Sequence, residues 1–212
     1  MKTILCFGDS NTWGYDPETT LRYPRGVRWT SLLQKALPGY CILEEGLGGR
    51  TTVFDDAMSY GRRGVDYLPV ALETHDPVDL VLLMLGTNDC KARFRCTAGE
   101  IAEGMEALVD AVRAPARHLR QQPDILIVAP APMDADALAR GGMRHMFNEW
   151  SVEQSRRLSP YYKELAHRMG VHFFDAGRAA IADADGVHLS PAGHAALAEA
   201  LAGYLPSLLG GV

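Results

Sequence analysis

Five short apolar runs, each closing on a polar turn, constrain this chain more than any other feature. They are Thr3–Phe7, Cys41–Glu45, Leu80–Leu85, Ile125–Ala129 and Val171–Phe174. Runs this short, bounded by Gly, Asn and Asp, fit buried strands better than helix fragments. Longer amphipathic segments separate them, giving expected helices at Trp29–Ala36, Val65–Thr74, Glu100–Arg120, Met143–Arg168 and Pro191–Leu205. Ser190 is the expected N-cap of the last, with Pro191 in its first turn. Strand and helix alternating in this way predict a parallel sheet covered by helices on both faces. Such sheets carry their sites where strands end, so each chemically useful cluster should follow a strand.

The 212 residues fit one domain of ordinary size, 1–212, with 47% hydrophobic and 22% charged residues and a formal charge of -5. The arginine clusters around Arg25, Arg62 and Arg117 are offset by acidic residues, so no nucleic-acid footprint is indicated. No apolar run is long enough for a membrane span, and the one after Met1 is too short for a signal peptide. Cys6, Cys41, Cys90 and Cys96 show neither C-x-x-C nor ligand-type spacing. A reduced, cytoplasmic protein is expected, with the Cys90–Cys96 pair either bridged or free. Residues 55–64 and 130–142 read as long loops, of the kind that shape a binding site.

Four turns carry chemistry. Gly8-Asp9-Ser10-Asn11-Thr12 follows the first run and places a hydroxyl at a strand-to-helix turn. Taken alone, a bare helix cap is the commoner reading of such a cluster. Asp183-Ala184-Asp185-Gly186-Val187-His188 precedes the last helix. Serine needs a base to take its proton, and the base needs an orienting group; His188 and Asp185 supply both from one loop. Gly46-Leu47-Gly48-Gly49-Arg50-Thr51-Thr52 and Gly86-Thr87-Asn88-Asp89 offer backbone and amide donors for a developing oxyanion. Together they form a complete set of acyl-transfer roles. Trp13 and Tyr15 are candidate walls of an acyl pocket, and Asn11 lies beside Ser10 as a candidate substrate contact. His194 reads as a surface or capped histidine, Asp175 as a turn-former that competes with Asp185, and Asp9 as a turn-former.

Two other classes of function compete. A metal-dependent phosphoesterase would use Asp9, Asn88, Asp89, Asp183, Asp185, His188 and His194 as ligands, but two-metal sites need several of these converging and would leave Ser10 idle. A non-catalytic flavodoxin-like binding module would explain the glycine turns but not the Asp185–His188 pair. Ala57-Met58-Ser59-Tyr60-Gly61 lacks the first glycine of a nucleophile elbow and follows no strand. No metal and no cofactor is therefore expected.

Gly8-Asp9-Ser10, a glycine turn, Gly86-x-Asn88-Asp89 and Asp185-x-x-His188, in that order, resemble the SGNH (GDSL-type) hydrolases. Arg28-Trp29, Glu44-Glu45-Gly46-Leu47, Arg50-Thr51-Thr52 and Phe173-Phe174-Asp175-Ala176-Gly177 are similar to its bacterial arylesterase/acyltransferase branch, and the likeness spans nearly the whole chain. The resemblance implies a flavodoxin-like three-layer α/β/α sandwich with a central five-stranded parallel sheet. It implies Ser10 as nucleophile, His188 as base and Asp185 as its orienter. The implied oxyanion hole consists of the Ser10 and Gly49 backbone N–H groups and the Asn88 side chain, Gly49 being favoured over Gly48 by its spacing to Thr51. The implied activity is hydrolysis of short-chain aryl or acetyl esters, with acyl transfer and homo-oligomers known in the branch. Asn11 departs from the commoner Leu at that position.

Overall fold

The computed structural model describes residues 1–114 and 119–210. Five strands, β1 (Lys2–Gly8), β2 (Tyr40–Gly46), β3 (Leu80–Met84), β4 (Asp124–Ala129) and β5 (His172–Asp175), form one all-parallel sheet in the order β2-β1-β3-β4-β5. That is the flavodoxin-like doubly wound order, whose reversal beside β1 opens a crevice at the carboxyl edge. The helices are α1 (Ser10–Trp13), α2 (Trp29–Ala36), α3 (Gly64–Thr74), α4 (Ala98–Arg113), α5 (Ala135–Arg140), α6 (Glu149–Met169) and α7 (Pro191–Leu209).

Both faces of the sheet are covered, which is why its strands read as continuous apolar runs. Leu5, Phe7, Val81, Leu83, Ile125 and Ile127 face one core with residues of α3, α4 and α6. Ile4, Cys6, Leu80, Leu82, Leu126 and Val128 face the other, with α2 and α7. The period-two alternation along each strand divides the two sets. None of the four cysteines is bridged, and burial pushes the thiols of Cys6, Cys90 and Cys96 up.

Three expected boundaries shift for local reasons. The helix expected over Glu100–Arg120 starts at Ala98, because Thr97 and Glu100 close a reciprocal capping box. It stops at Arg113, where Ala114 turns extended ahead of a proline; residues 115–118 of that expected helix lie outside the described residues. The helix expected from Met143 begins instead at Glu149, where the Asn148 side chain takes the Ser151 N–H. A single 3-10 turn fills Gly142–His145. The expected loop 130–142 contains α5, capped by Asp134, whose carboxylate accepts the Ala137 N–H at 2.7 Å. No described helix is long and apolar enough to cross a membrane.

Candidate active site

β1 ends at Gly8, and the chain turns at once into α1. Asp9 caps that turn through the Asn11 N–H at 2.9 Å, so the Ser10 hydroxyl is not the cap and is left for other contacts. Its Oγ lies 3.0 Å from His188 Nε2, across 178 positions of sequence. His188 Nδ1 is 2.8 Å from Asp185 Oδ2. The other carboxylate oxygen, Oδ1, accepts the backbone N–H groups of Val187 (3.0 Å) and His188 (2.8 Å). These bonds shape the Asp185–His188 loop as well as orienting the ring. A carboxylate at Nδ1 fixes the ring proton there and leaves Nε2 to accept from the serine hydroxyl.

Burial raises the Asp185 pKa, but the hydrogen bond and charge of His188 and the two N–H donors outweigh it, and the net shift is downward. The carboxylate is thus held ionised beside the imidazole. The Tyr15 ring packs on His188 with centroids 4.5 Å apart. Ser10 and His188 are 7% and 4% exposed.

Hydrogen-bond donors flank this pair. Gly49 has φ +83°, a left-handed conformation that glycine adopts without steric cost. Its N–H, like that of Ser10, makes no hydrogen bond among the described residues. Asn88 opens a single 3-10 turn after β3, and one of its amide protons goes to the Arg50 carbonyl at 3.1 Å, leaving the second to donate.

Arg50 holds these parts in register. Its buried guanidinium donates to the carbonyls of Gly8 (2.9 Å) and Glu45 and lies over the Phe7 ring, 4.1 Å from the centroid. Burial pushes its pKa down to about 10. Gly46 is indispensable here for a different reason: a Cβ would sit 2.1 Å from the Trp13 backbone nitrogen, so α1 packs directly on the end of β2.

The structure therefore brings Ser10, Asp185 and His188 together and sets Gly49 and Asn88 at the same sheet edge. The two candidate substrate contacts are placed as follows. The Asn11 side chain is buried and bonds to backbone on both sides of His188. Trp13 packs its ring against Arg22, 5.5 Å from the guanidinium carbon, while its carbonyl accepts from Arg22 at 2.6 Å. His194 is not at the surface: it is fully buried, accepts the Trp29 N–H at 3.3 Å, and has its pKa driven down to about 4 by burial and then by the charges of His188 and Arg28. Asp175 accepts from Ser159 and from the Gly177 N–H, as a turn-former does. Among the described residues no group of three or more His, Cys, Asp or Glu is arranged to hold a metal ion.

The two expected loops buttress the site. Residues 130–142 are stapled to the acid–base loop by Asp134 N–H to the Gly186 carbonyl (3.2 Å) and Ala182 N–H to the Pro132 carbonyl (3.3 Å). Residues 55–64 are anchored through Asp56, fully buried between Lys91 (2.9 Å) and Arg93 (3.0 Å), on the segment that follows Asn88. Asp56 is also held low: burial opposes ionisation, but the Lys91 bond, the Met58 N–H and both cations prevail.

Comparison with known proteins identifies the family. Among curated proteins no sequence match is found. Among solved structures, the native aryl esterase of M. smegmatis is 40% identical, matching over 99% of this chain and 100% of that one with a TM-score of 0.92. Est24, a carbohydrate acetylesterase from Sinorhizobium meliloti, is 41% identical over 98% of this chain and 100% of its own, with a TM-score of 0.89. The GDSL-like lipase/acylhydrolase family matches residues 6–196. The chain belongs to that family, and it is a carboxylic ester hydrolase.

Proposed function

We propose that this enzyme hydrolyses short-chain esters, acetyl esters of phenols or sugars in particular, through an acyl-enzyme on Ser10. The observation that carries the reading is the continuous relay from Asp185 to His188 to Ser10, at 2.8 and 3.0 Å. Ser10 Oγ attacks the ester carbonyl as His188 Nε2 takes its proton. Asp185, kept ionised, steadies the imidazolium. The Ser10 and Gly49 N–H groups and the spare Asn88 amide proton bind the oxyanion; these are donors set in place before charge develops, and therefore effective. His188 then returns its proton to the leaving alkoxide, and a water activated the same way releases the acid. An alcohol in place of water gives acyl transfer by the same steps.

The acetyl and aryl preference draws support from the names of the two relatives. The four unbridged thiols support a cytoplasmic setting. Exposed Trp150 and Tyr161 on α6 support assembly into a homo-oligomer.

The test is turnover of an aryl acetate by wild type and Ser10→Ala. By analogy with a dissected serine protease, the variant loses on the order of a million-fold in kcat. Unchanged turnover would refute the reading, and turnover that survives Ser10→Ala but is lost to a chelator would point to metal-assisted hydrolysis.

A further inference from the structure

We infer that Asn11 is a positioning residue, whose side-chain amide clamps the loop bearing His188 onto the turn bearing Ser10. The inference rests on the relay of the preceding section and deepens it.

The Asn11 side chain is bonded at both ends. Its Nδ2 donates to the Val187 carbonyl at 3.1 Å, and its Oδ1 accepts the Leu189 N–H at 2.9 Å. These two backbone groups belong to the residues on either side of His188, so one amide brackets the imidazole-bearing residue much as a neighbouring strand would. All three residues are buried, Asn11 at 5%, Val187 at 2% and Leu189 at 1% exposure, so water does not compete for these bonds.

The backbone of Asn11 is tied down as well. Its N–H goes to Asp9 Oδ1 at 2.9 Å, and its carbonyl accepts the Trp29 indole N–H at 3.0 Å. Trp29 in turn donates its backbone N–H to His194 of α7. The clamp is therefore mounted on a rigid base shared by α1, α2 and α7.

Three features separate this role from ordinary packing. Asn11 is adjacent in sequence to Ser10, so any shift of its side chain is referred directly to the nucleophile. Its two partners straddle the base and do not belong to distant scaffold. Asp185 reaches the loop through the same stretch, taking the Val187 and His188 N–H groups, so the carboxylate and the amide hold the loop from opposite groups of one segment. In this chain one side chain both donates and accepts across two residues. Leucine, the commoner residue at this position in the family, fills the volume but satisfies neither group, so substituting it here leaves the Val187 carbonyl and the Leu189 N–H without these partners. The Asn11 side chain bonds to the residues flanking His188 and to none of the relay atoms, so it acts through His188.

The test compares wild type, Asn11→Leu, Asn11→Asp and Ser10→Ala on an aryl acetate, with circular dichroism as a check on folding. Asn11→Leu is expected to lower kcat about 100-fold, the scale of an ångström of misplacement, with KM nearly unchanged. The low-field proton resonance of the His188–Asp185 hydrogen bond should broaden as the ring loosens. Asn11→Asp, assayed where its carboxyl is ionised, keeps the Leu189 bond but sets an acceptor oxygen against the Val187 carbonyl, so its kcat should fall at least on the order of ten-fold below wild type. A folded Asn11→Leu with wild-type kcat and an unaltered resonance, while Ser10→Ala is inactive, overturns the clamp and leaves the relay standing. Should Asn11→Leu fail to fold, a wild-type kcat in Asn11→Asp overturns the clamp instead. An active Ser10→Ala overturns both.

Discussion

Asp89→Asn should remove part of the pH dependence of folding. Asp89 is fully buried next to Asn88. Its Oδ1 accepts the Thr52 N–H at 2.8 Å and the Thr52 hydroxyl at 2.6 Å, while Oδ2 finds no partner among the described residues. Burial, aided by the nearby charge of Asp9 and opposed by the Thr52 bonds, raises its pKa from 3.8 to about 6. The folded state therefore holds this proton more tightly than the unfolded chain does. The resulting stability is complete below pH 3.8 and is lost as pH rises toward about 6, beyond which it changes no further. The interval corresponds to about 3 kcal/mol. An asparagine carbonyl can accept both Thr52 bonds and has no proton to lose. Urea unfolding of wild type and variant across about pH 4 to 7 should show the gap between their stabilities changing by about 3 kcal/mol, to the disadvantage of wild type as pH rises. Other titrating groups are common to both proteins and cancel in the difference. Parallel stability profiles would refute the assignment of a buried, reluctant carboxylate to this position.

Three further outcomes are expected. Asn88→Ala should lower kcat roughly 100- to 1000-fold by removing an oxyanion donor, read by steady-state kinetics; undiminished kcat would remove Asn88 from the mechanism. Lys91→Met leaves Asp56 buried with Arg93 as its remaining cation, and should cost about 3–5 kcal/mol in urea unfolding near neutral pH. Gly46→Ala drives a methyl into the Trp13 backbone and should cost about 3 kcal/mol while displacing α1 and lowering turnover, measured by thermal unfolding alongside the ester assay.

Much of this was legible in the sequence because the strands are buried on both sides. Apolar runs such as Leu80–Leu85 have no amphipathic alternative, and each was located to within a few residues. Helix ends were harder, because capping overrides periodicity: Met143–Met146 has an apolar pattern, yet Asn148 sets the start of α6. Thr97 and Glu100 carry a capping-box spacing that could have marked α4 correctly. Residues 135–140 read as loop because a helix of six residues has too little pattern to announce itself. At the site, residue types and order were enough to nominate Ser10, Asp185, His188 and Asn88. The supports were missed because they act through distant partners: nothing local signals that Arg50 braces Gly8, that Asp56 pairs with Lys91, or that Asn11 faces Val187 and Leu189. His194 lies in an Ala-rich helix whose buried side is ambiguous from sequence, so its enclosure against Trp29 was hidden as well.

The span between Ser10 and His188 bears on when the enzyme becomes active. A hydroxyl delivered by the first strand waits for an imidazole that arrives only after the fifth, with four crossovers between them. During synthesis the growing polypeptide can lay down most of its sheet while remaining chemically inert toward esters. Because the relay is a contact of very high sequence separation, recovery of turnover after denaturation would report long-range docking, which local helix signals do not.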